Sequence, residues 1–167
     1  GSHSITAQVT DAAGNTSSAS SALDITIQYV ISDRAELDTA VAAWIADETA
    51  ATATYGDINE WDVSAITDFS NLFEDKTTFN SDISSWDVSS GTDFSSMFKG
   101  ASSFNQDIGS WEVRNGTNFS AMFDDADAFN QDIGSWDVSS GTNFEFMFIN
   151  TQSFNQDIGG WDVIEAT

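Results

Sequence analysis

Cysteine is absent, and one histidine, His3, stands beside Gly1 and Ser2 in a tripeptide that fits an expression scar or natural sequence. Zinc ligand sets and Ser-His or Cys-His catalysis are thereby excluded, and no disulfide framework can be read. Cations are almost missing: Arg34, Lys76, Lys99 and Arg114 face 27 acidic residues, for a net charge of −23. Such a field repels nucleic acid and anionic lipid, and it suits salty or calcium-rich surroundings outside a cell. No apolar run approaches 18 residues, so membrane insertion is not expected. A glycine-rich phosphate loop is lacking too. There is no initiating Met or leader pattern, and the pattern stops in mid-repeat at Thr167, which reads as a fragment of a longer chain carrying flanking domains.

What is present is a repeat of 25 residues. Trp61, Trp86, Trp111, Trp136 and Trp161 are one period apart, as are Ile58, Ile83, Ile108, Ile133 and Ile158. Three phenylalanine registers follow the same spacing: 69/94/119/144, 73/98/123/148 and 79/104/129/154, the last always followed by Asn. A fixed period in the twenties signals a solenoid, because one unit cannot bury its apolar face and must share a core with its neighbours. The large side chains are read as core ladders ahead of a cofactor box. Aromatic content of 13 % supplies a core, which argues against disorder.

Three regions are expected. Residues 1–30 form a partial β segment or linker: residues 4–10 and 23–27 alternate like strands, and Asp11, Gly14 and Asn15 mark the loop of a hairpin. Residues 31–54 supply a capping helix over 32–47. There Asp33 and Glu36 have capping-box spacing, and Leu37, Val41, Trp44 and Ile45 make one stripe that covers the end of the array. Residues 55–167 are the repeats. In each, a stretch such as 92–98 has the look of a short helix capped by Thr92, with Phe94, Met97 and Phe98 on one face. A stretch such as 107–111 has the look of a short strand bounded by Gly and Ser. The fold class is an α/β solenoid, a leucine-rich-repeat-like array with one short parallel strand and one short helix per coil.

The motif FNQDIGSWDVSSGTNFEFMF over residues 129–148 resembles the BspA-like leucine-rich-repeat surface proteins of bacteria, whose repeat typically reads FNQDISxWDVSxVTxMxxMF. The segments RAELDTAVAAW and YGDINEWDVSAITDFSNLF resemble the cap that opens such arrays, so the resemblance covers about residues 31–163. Two features depart from that pattern. Only the first coil keeps a branched residue before the Thr, as Ile66; later coils have Gly91, Gly116 and Gly141, and the first Met of MxxMF is Phe throughout. The exchange suggests that a Phe fills the space of the branched chain. Further upstream, TDAAGN over residues 10–15 resembles the immunoglobulin-like extender domains of large bacterial adhesins, in which such loops lie near calcium. The resemblance implies a bacterial cell-surface, extracellular protein without enzymatic activity, whose partners are host or neighbouring-cell proteins or glycans.

Carboxylates and aromatics are the remaining chemistry. Asp57, Asp82, Asp107, Asp132 and Asp157 share one register. Stacked about 5 Å apart they would repel by about 1 kcal/mol per pair even at water's dielectric. Backbone N–H groups in each turn could offset this, or calcium bridging between coils. The candidate metal residues are Asp82, Asp107 and Asp132 from this register, together with Asp11, which the extender resemblance implies, with calcium the candidate ion. Ligand recognition is sought where the coils differ, because identical coils offer identical surfaces. Register 71/96/121/146 reads Asn, Ser, Ala, Phe, and register 74/99/124/149 reads Glu, Lys, Asp, Ile. Arg114 stands where positions 64, 89 and 139 carry Ser. Phe146, Ile149 and Arg114 are the candidate ligand-binding residues. Three functions fit: an adhesive module, a structural spacer, and a binder of regular surfaces through the column Thr67, Thr92, Thr117 and Thr142.

Overall fold

A computed structural model describes the chain except Gly1, Ala22, Ile27 and Thr167, so the expected strand end at Ile27 and the chain end at Thr167 lie outside the described residues. Strands β1 (Ser2–Ile5) and β2 (Leu23–Thr26) pair antiparallel, with Ser2 opposite Thr26 and Ile5 opposite Leu23. The hairpin loop is long, but the first strand is shorter than its alternation predicts. Serine hydroxyls intercept the amides that would continue the ladder: Ala7 donates to Ser20 Oγ and Val9 to Ser17 Oγ. An isolated bridge between Thr10 and Thr16 closes the tip.

Helix α1 (Arg34–Ala46) follows, with Asp33 as N-cap accepting from the Glu36 amide. Glu36 reaches back to the Ser32 amide and hydroxyl and to the Tyr29 hydroxyl, closing the capping box one residue further out than its spacing suggests. Its buried face is Leu37, Ala40, Val41 and Trp44. Ile45, expected on that stripe, is exposed, and Ala40 takes its place. A second helix, α2 (Glu48–Tyr55), was not expected. Asp47 ends α1 and caps α2 by accepting from the Ala50 amide, and the Ala/Thr-rich helix buries only Ala51. One 3₁₀ turn, Ile58–Glu60, leads into the repeats.

Four units follow, at residues 67–91, 92–116, 117–141 and 142–166, each stacked on the one before. The aromatic registers form columns. Phe69, Phe94, Phe119 and Phe144 stack with ring centroids 5.5, 5.5 and 5.3 Å apart. Phe73, Phe98, Phe123 and Phe148 do so at 5.5, 5.6 and 5.6 Å, and the 79/104/129/154 column at 5.9, 6.0 and 5.9 Å. Each indole ties its unit to the one before: Trp86 Nε1 donates to the Ile58 carbonyl, Trp111 to Ile83, Trp136 to Ile108 and Trp161 to Ile133. The asparagines form a third ladder, with the Asn105, Asn130 and Asn155 amides donating to the side-chain oxygens of Asn80, Asn105 and Asn130.

Within the units, local structure differs from the short helix and strand that the sequence suggested. Residues 92–98 and their equivalents are turns. The reason is backbone handedness: Asn71, Ser96, Ala121 and Phe146 have φ of 57°, 54°, 53° and 62°, in the left-handed region, which stops a helix after one turn. The amides then alternate outward. Phe94, Ser96, Phe98 and Gly100 donate to the carbonyls of Asn118, Ser120, Met122 and Asp124 in the next unit, at 2.7–2.9 Å, and the other two junctions repeat this. Parallel bridges link Asp68, Asp93, Asn118 and Asn143. The strand expected at 107–111 is also a turn, since Asp107 accepts from the Gly109 amide and the Trp111 amide donates to the Ile108 carbonyl. Nor do the threonines cap helices: Thr92, Thr117 and Thr142 hydroxyls donate to the carbonyl of the preceding Thr in the column. The ring lies over the glycine in the later units, although the first unit buries both Ile66 and Phe69, so the exchange of a branched side chain for a ring is not strict. A Cβ on Gly91, Gly116 or Gly141 would lie 2.4, 2.3 or 2.2 Å from Cζ of Phe94, Phe119 or Phe144.

Candidate functional site

The fourth unit differs from the others in what it exposes. Phe146 is 59 % and Ile149 44 % exposed, where the equivalent Ala121 and Asp124 are half-buried and polar or small. Phe146 also holds the left-handed backbone that Asn71, Ser96 and Ala121 hold elsewhere. Asn tolerates that region, whereas a bulky ring does so at a cost of about 1–2 kcal/mol, so nothing in backbone preference favours Phe here. Both side chains line an apolar groove of about 370 Å³ together with Met147, Phe148, Ile158 and Trp161. The candidate contact residues thus meet one another and the end of the stacked core. Arg114 is elsewhere: it is exposed on the second unit, with no hydrogen bond or ion pair among the described residues, and its charge adds only a small part to the lowering of the Asp137 carboxyl that the Ser139 hydroxyl and amide chiefly cause. The structure does not bring it together with Phe146 and Ile149.

The four candidate metal residues sit in separate turns. Asp11 Oδ1 accepts from the Ala13 and Asn15 amides and Oδ2 from Asn15 Nδ2; these bonds, the Asn15 side chain first, pull its carboxyl below the ordinary value. Asp82 accepts from the Ser84 amide and from Asn59 Nδ2, Asp107 from the Gly109 amide, and Asp132 from the Gly134 amide. Asp87 and Asp137 are likewise lowered by hydrogen bonds from Ser89 and Ser139. Each carboxylate takes a backbone amide two residues on, as side chains of this type do in turns, and Asp82 adds Asn59 Nδ2 from the preceding coil. Among the described residues no group of three or more acidic or histidine side chains is positioned to hold one ion. Asp124 is the exception in direction: burial, and then the neighbouring Asp125, raise its carboxyl, with Lys99 Nζ 3.8 Å away working against both.

A residue that sequence reasoning missed is Arg34. Its guanidinium donates to the carbonyls of Asp68 and Ser70 and to the carboxylates of Asp38 and Asp68. In every later unit the equivalent carbonyls, such as those of Asp93 and Ser95, take amides from the preceding unit. Arg34 therefore does with one side chain what two backbone amides do elsewhere, and with Trp44, whose indole donates to Ser81 and meets Trp61 edge-on at 5.9 Å, it seats α1 on the first unit. The signal available in the sequence was its rarity, as one of two arginines, at the first turn of a helix where an acidic residue is favoured.

A model of a family described as mycoplasma proteins of unknown function, DUF285, matches residues 45–161. The chain belongs to that family, which is compatible with the repeat resemblance noted above. No curated protein and no solved structure matches the chain.

Proposed function

We propose that this chain is a non-enzymatic, ligand-binding module of a bacterial cell-surface adhesin of the BspA-like kind. Its units would form a leucine-rich-repeat-like solenoid, opened by the α1–α2 cap and preceded by the end of an immunoglobulin-like extender. The partner would be a protein or glycan of a host or neighbouring cell, and the location extracellular. The observation that carries this reading is the pair Phe146 and Ile149. Exposed aromatic and aliphatic side chains in one patch mark contact surfaces, and here one of them sits in a backbone conformation that disfavours it. Registers common to all units are sufficiently explained by stacking and ladders, so specificity belongs where the units differ.

A structural spacer is the second reading, favoured by the near-identical junctions, and the exposed column of Thr67, Thr92, Thr117 and Thr142 keeps a regular-surface binder as a third. Protein and glycan arrays probed with the chain and with a Phe146→Ser, Ile149→Asp double variant separate them. The adhesive reading expects binding that the double variant loses while its melting curve stays close to that of the parent. Retained binding would place the contact on another face, and no binding by the parent would favour the spacer.

A further inference from the structure

The two ends of the stack are finished differently. At the first unit, Arg34 supplies the donors for the Asp68 and Ser70 carbonyls. A separate parallel bridge pairs Val30 with Asp62 ahead of the first unit, and α1 packs Leu37, Val41 and Trp44 into the core. At the fourth unit the amides of Phe144, Phe146, Phe148 and Asn150 have no partner among the described residues, although their equivalents in all three earlier units donate to the following unit. Asn155 Oδ1 accepts no amide among the described residues, whereas Asn80, Asn105 and Asn130 each do. The Ile158 carbonyl takes the Trp161 amide but lacks the indole that Ile58, Ile83, Ile108 and Ile133 receive. Phe144, Phe148, Phe154 and Trp161 are only half-buried, while their equivalents in the first three units are buried. A Cβ on Gly109 or Gly134 would meet the next unit's Asp132 or Asp157 carbonyl at 2.4 Å, but one on Gly159 would meet only its own Asp157.

We propose that the open face of residues 142–166 is a docking surface for one further polypeptide segment of the same 25-residue register, laid parallel to the fourth unit. The face specifies its occupant closely. Four amides at alternate residues require four carbonyls at alternate residues, which is strand addition to an exposed edge. The floor of the groove, Phe144, Phe148, Ile158 and Trp161, requires rings at the Phe and Trp registers, as every existing junction supplies, while Phe146 and Ile149 stand at its rim, where the equivalent Ala121 and Asp124 stay partly exposed under a following unit. Asn155 Oδ1 requires an amide, and the Ile158 carbonyl an indole N–H. This surface continues the interface already formed three times in the chain. A second copy cannot meet the demand head-to-tail, because the end that would offer its carbonyl row is taken by Arg34 and α1.

The test is an extended chain in which the sequence of residues 118–141 follows Thr167, compared with the same extension carrying one inserted residue after Thr167. Residue-resolved hydrogen exchange reads the amides of Phe144, Phe146, Phe148 and Asn150. In-register extension is expected to slow them at least about tenfold, as closure of a local opening does, to shift Trp161 emission to the blue and to raise the melting temperature; the slipped extension is expected to do none of these. Should the extended chain fold poorly, a peptide with the sequence of residues 117–141, titrated against the original chain, reads the same four amides. Unchanged exchange in that titration and in a folded extension would overturn the proposal. So would protection of the row in the unextended chain that grows with concentration alongside a dimer in sedimentation, since the occupant would then be a second copy.

Discussion

Replacing Arg34 by Ala tests how the stack begins. The substitution leaves the Asp68 and Ser70 carbonyls without their donors and removes contacts to two carboxylates. A desolvated carbonyl left unsatisfied costs about 1–3 kcal/mol. The Arg34 side chain is 27 % exposed and both acids are half-exposed, so water reaches part of the site and the lower end applies to each carbonyl. The ion pairs add about 0–1 kcal/mol at that exposure. Altogether about 2–3 kcal/mol is expected, which in a chain of this length lowers the melting temperature by about 4–12 °C. Arg34→Lys keeps the charge but not the planar fork that spans two carbonyls, so it should recover less than half of the loss. Arg114→Ala is the control: that exposed side chain has no hydrogen bond or ion pair among the described residues, and its removal should stay within about 0.5 kcal/mol. Urea and thermal unfolding read all three variants. If Arg34→Lys is as stable as the parent, or Arg34→Ala no worse than Arg114→Ala, the guanidinium does not stand in for the amides of a preceding unit.

The aromatic columns make a second prediction. Phe123→Ala, at a fully buried ring between Phe98 and Phe148, should cost about 3–5 kcal/mol, and Phe148→Ala, half-buried at the end of the column, less than half of that. Equal losses in chemical unfolding would mean the end face is covered in solution. The Glu36 carboxyl, held at about 2 against an ordinary 4.5 by the Ser32 hydroxyl, the Tyr29 hydroxyl and the Ser32 amide, contributes stability that is full above about pH 4.5 and is lost as pH falls toward 2. Glu36→Gln should flatten the acid limb of the stability profile in that window, and an unchanged limb would refute the assignment. With the carboxylates engaged by backbone and side-chain donors, chelation is expected to move the melting temperature by less than about 1 °C; a rise of several degrees on adding calcium would place an ion on the Asp registers.

The period and its columns were legible because large apolar side chains fall one repeat apart and only stacking satisfies five such registers at once. The interior of each unit was not. Phe94, Met97 and Phe98 are buried together in a turn as they would be on a helix, so the spacing could not choose between the two. What decides is a left-handed residue at position 96, and Asn, Ser, Ala and Phe in that register carry no common mark of it. Helix α2 escaped notice because its face of Ala and Thr has no apolar stripe, although Asp47 followed by Glu48 was a cap signal. The exposure of Phe146 and Ile149 followed from broken symmetry alone. Arg34 did not, since its partners are mostly backbone groups distant in sequence, which no side-chain pattern reveals.

The central claim is that alternate amides, and not helical ones, join each unit to the next. Residue-resolved amide exchange in the chain itself tests it most directly. Protection is expected at residues 69, 71, 73 and 75, at 94, 96, 98 and 100, and at 119, 121, 123 and 125, with residues 144, 146, 148 and 150 exchanging freely. Protection running through consecutive residues as in a helix, or free exchange in all four rows, would contradict the account.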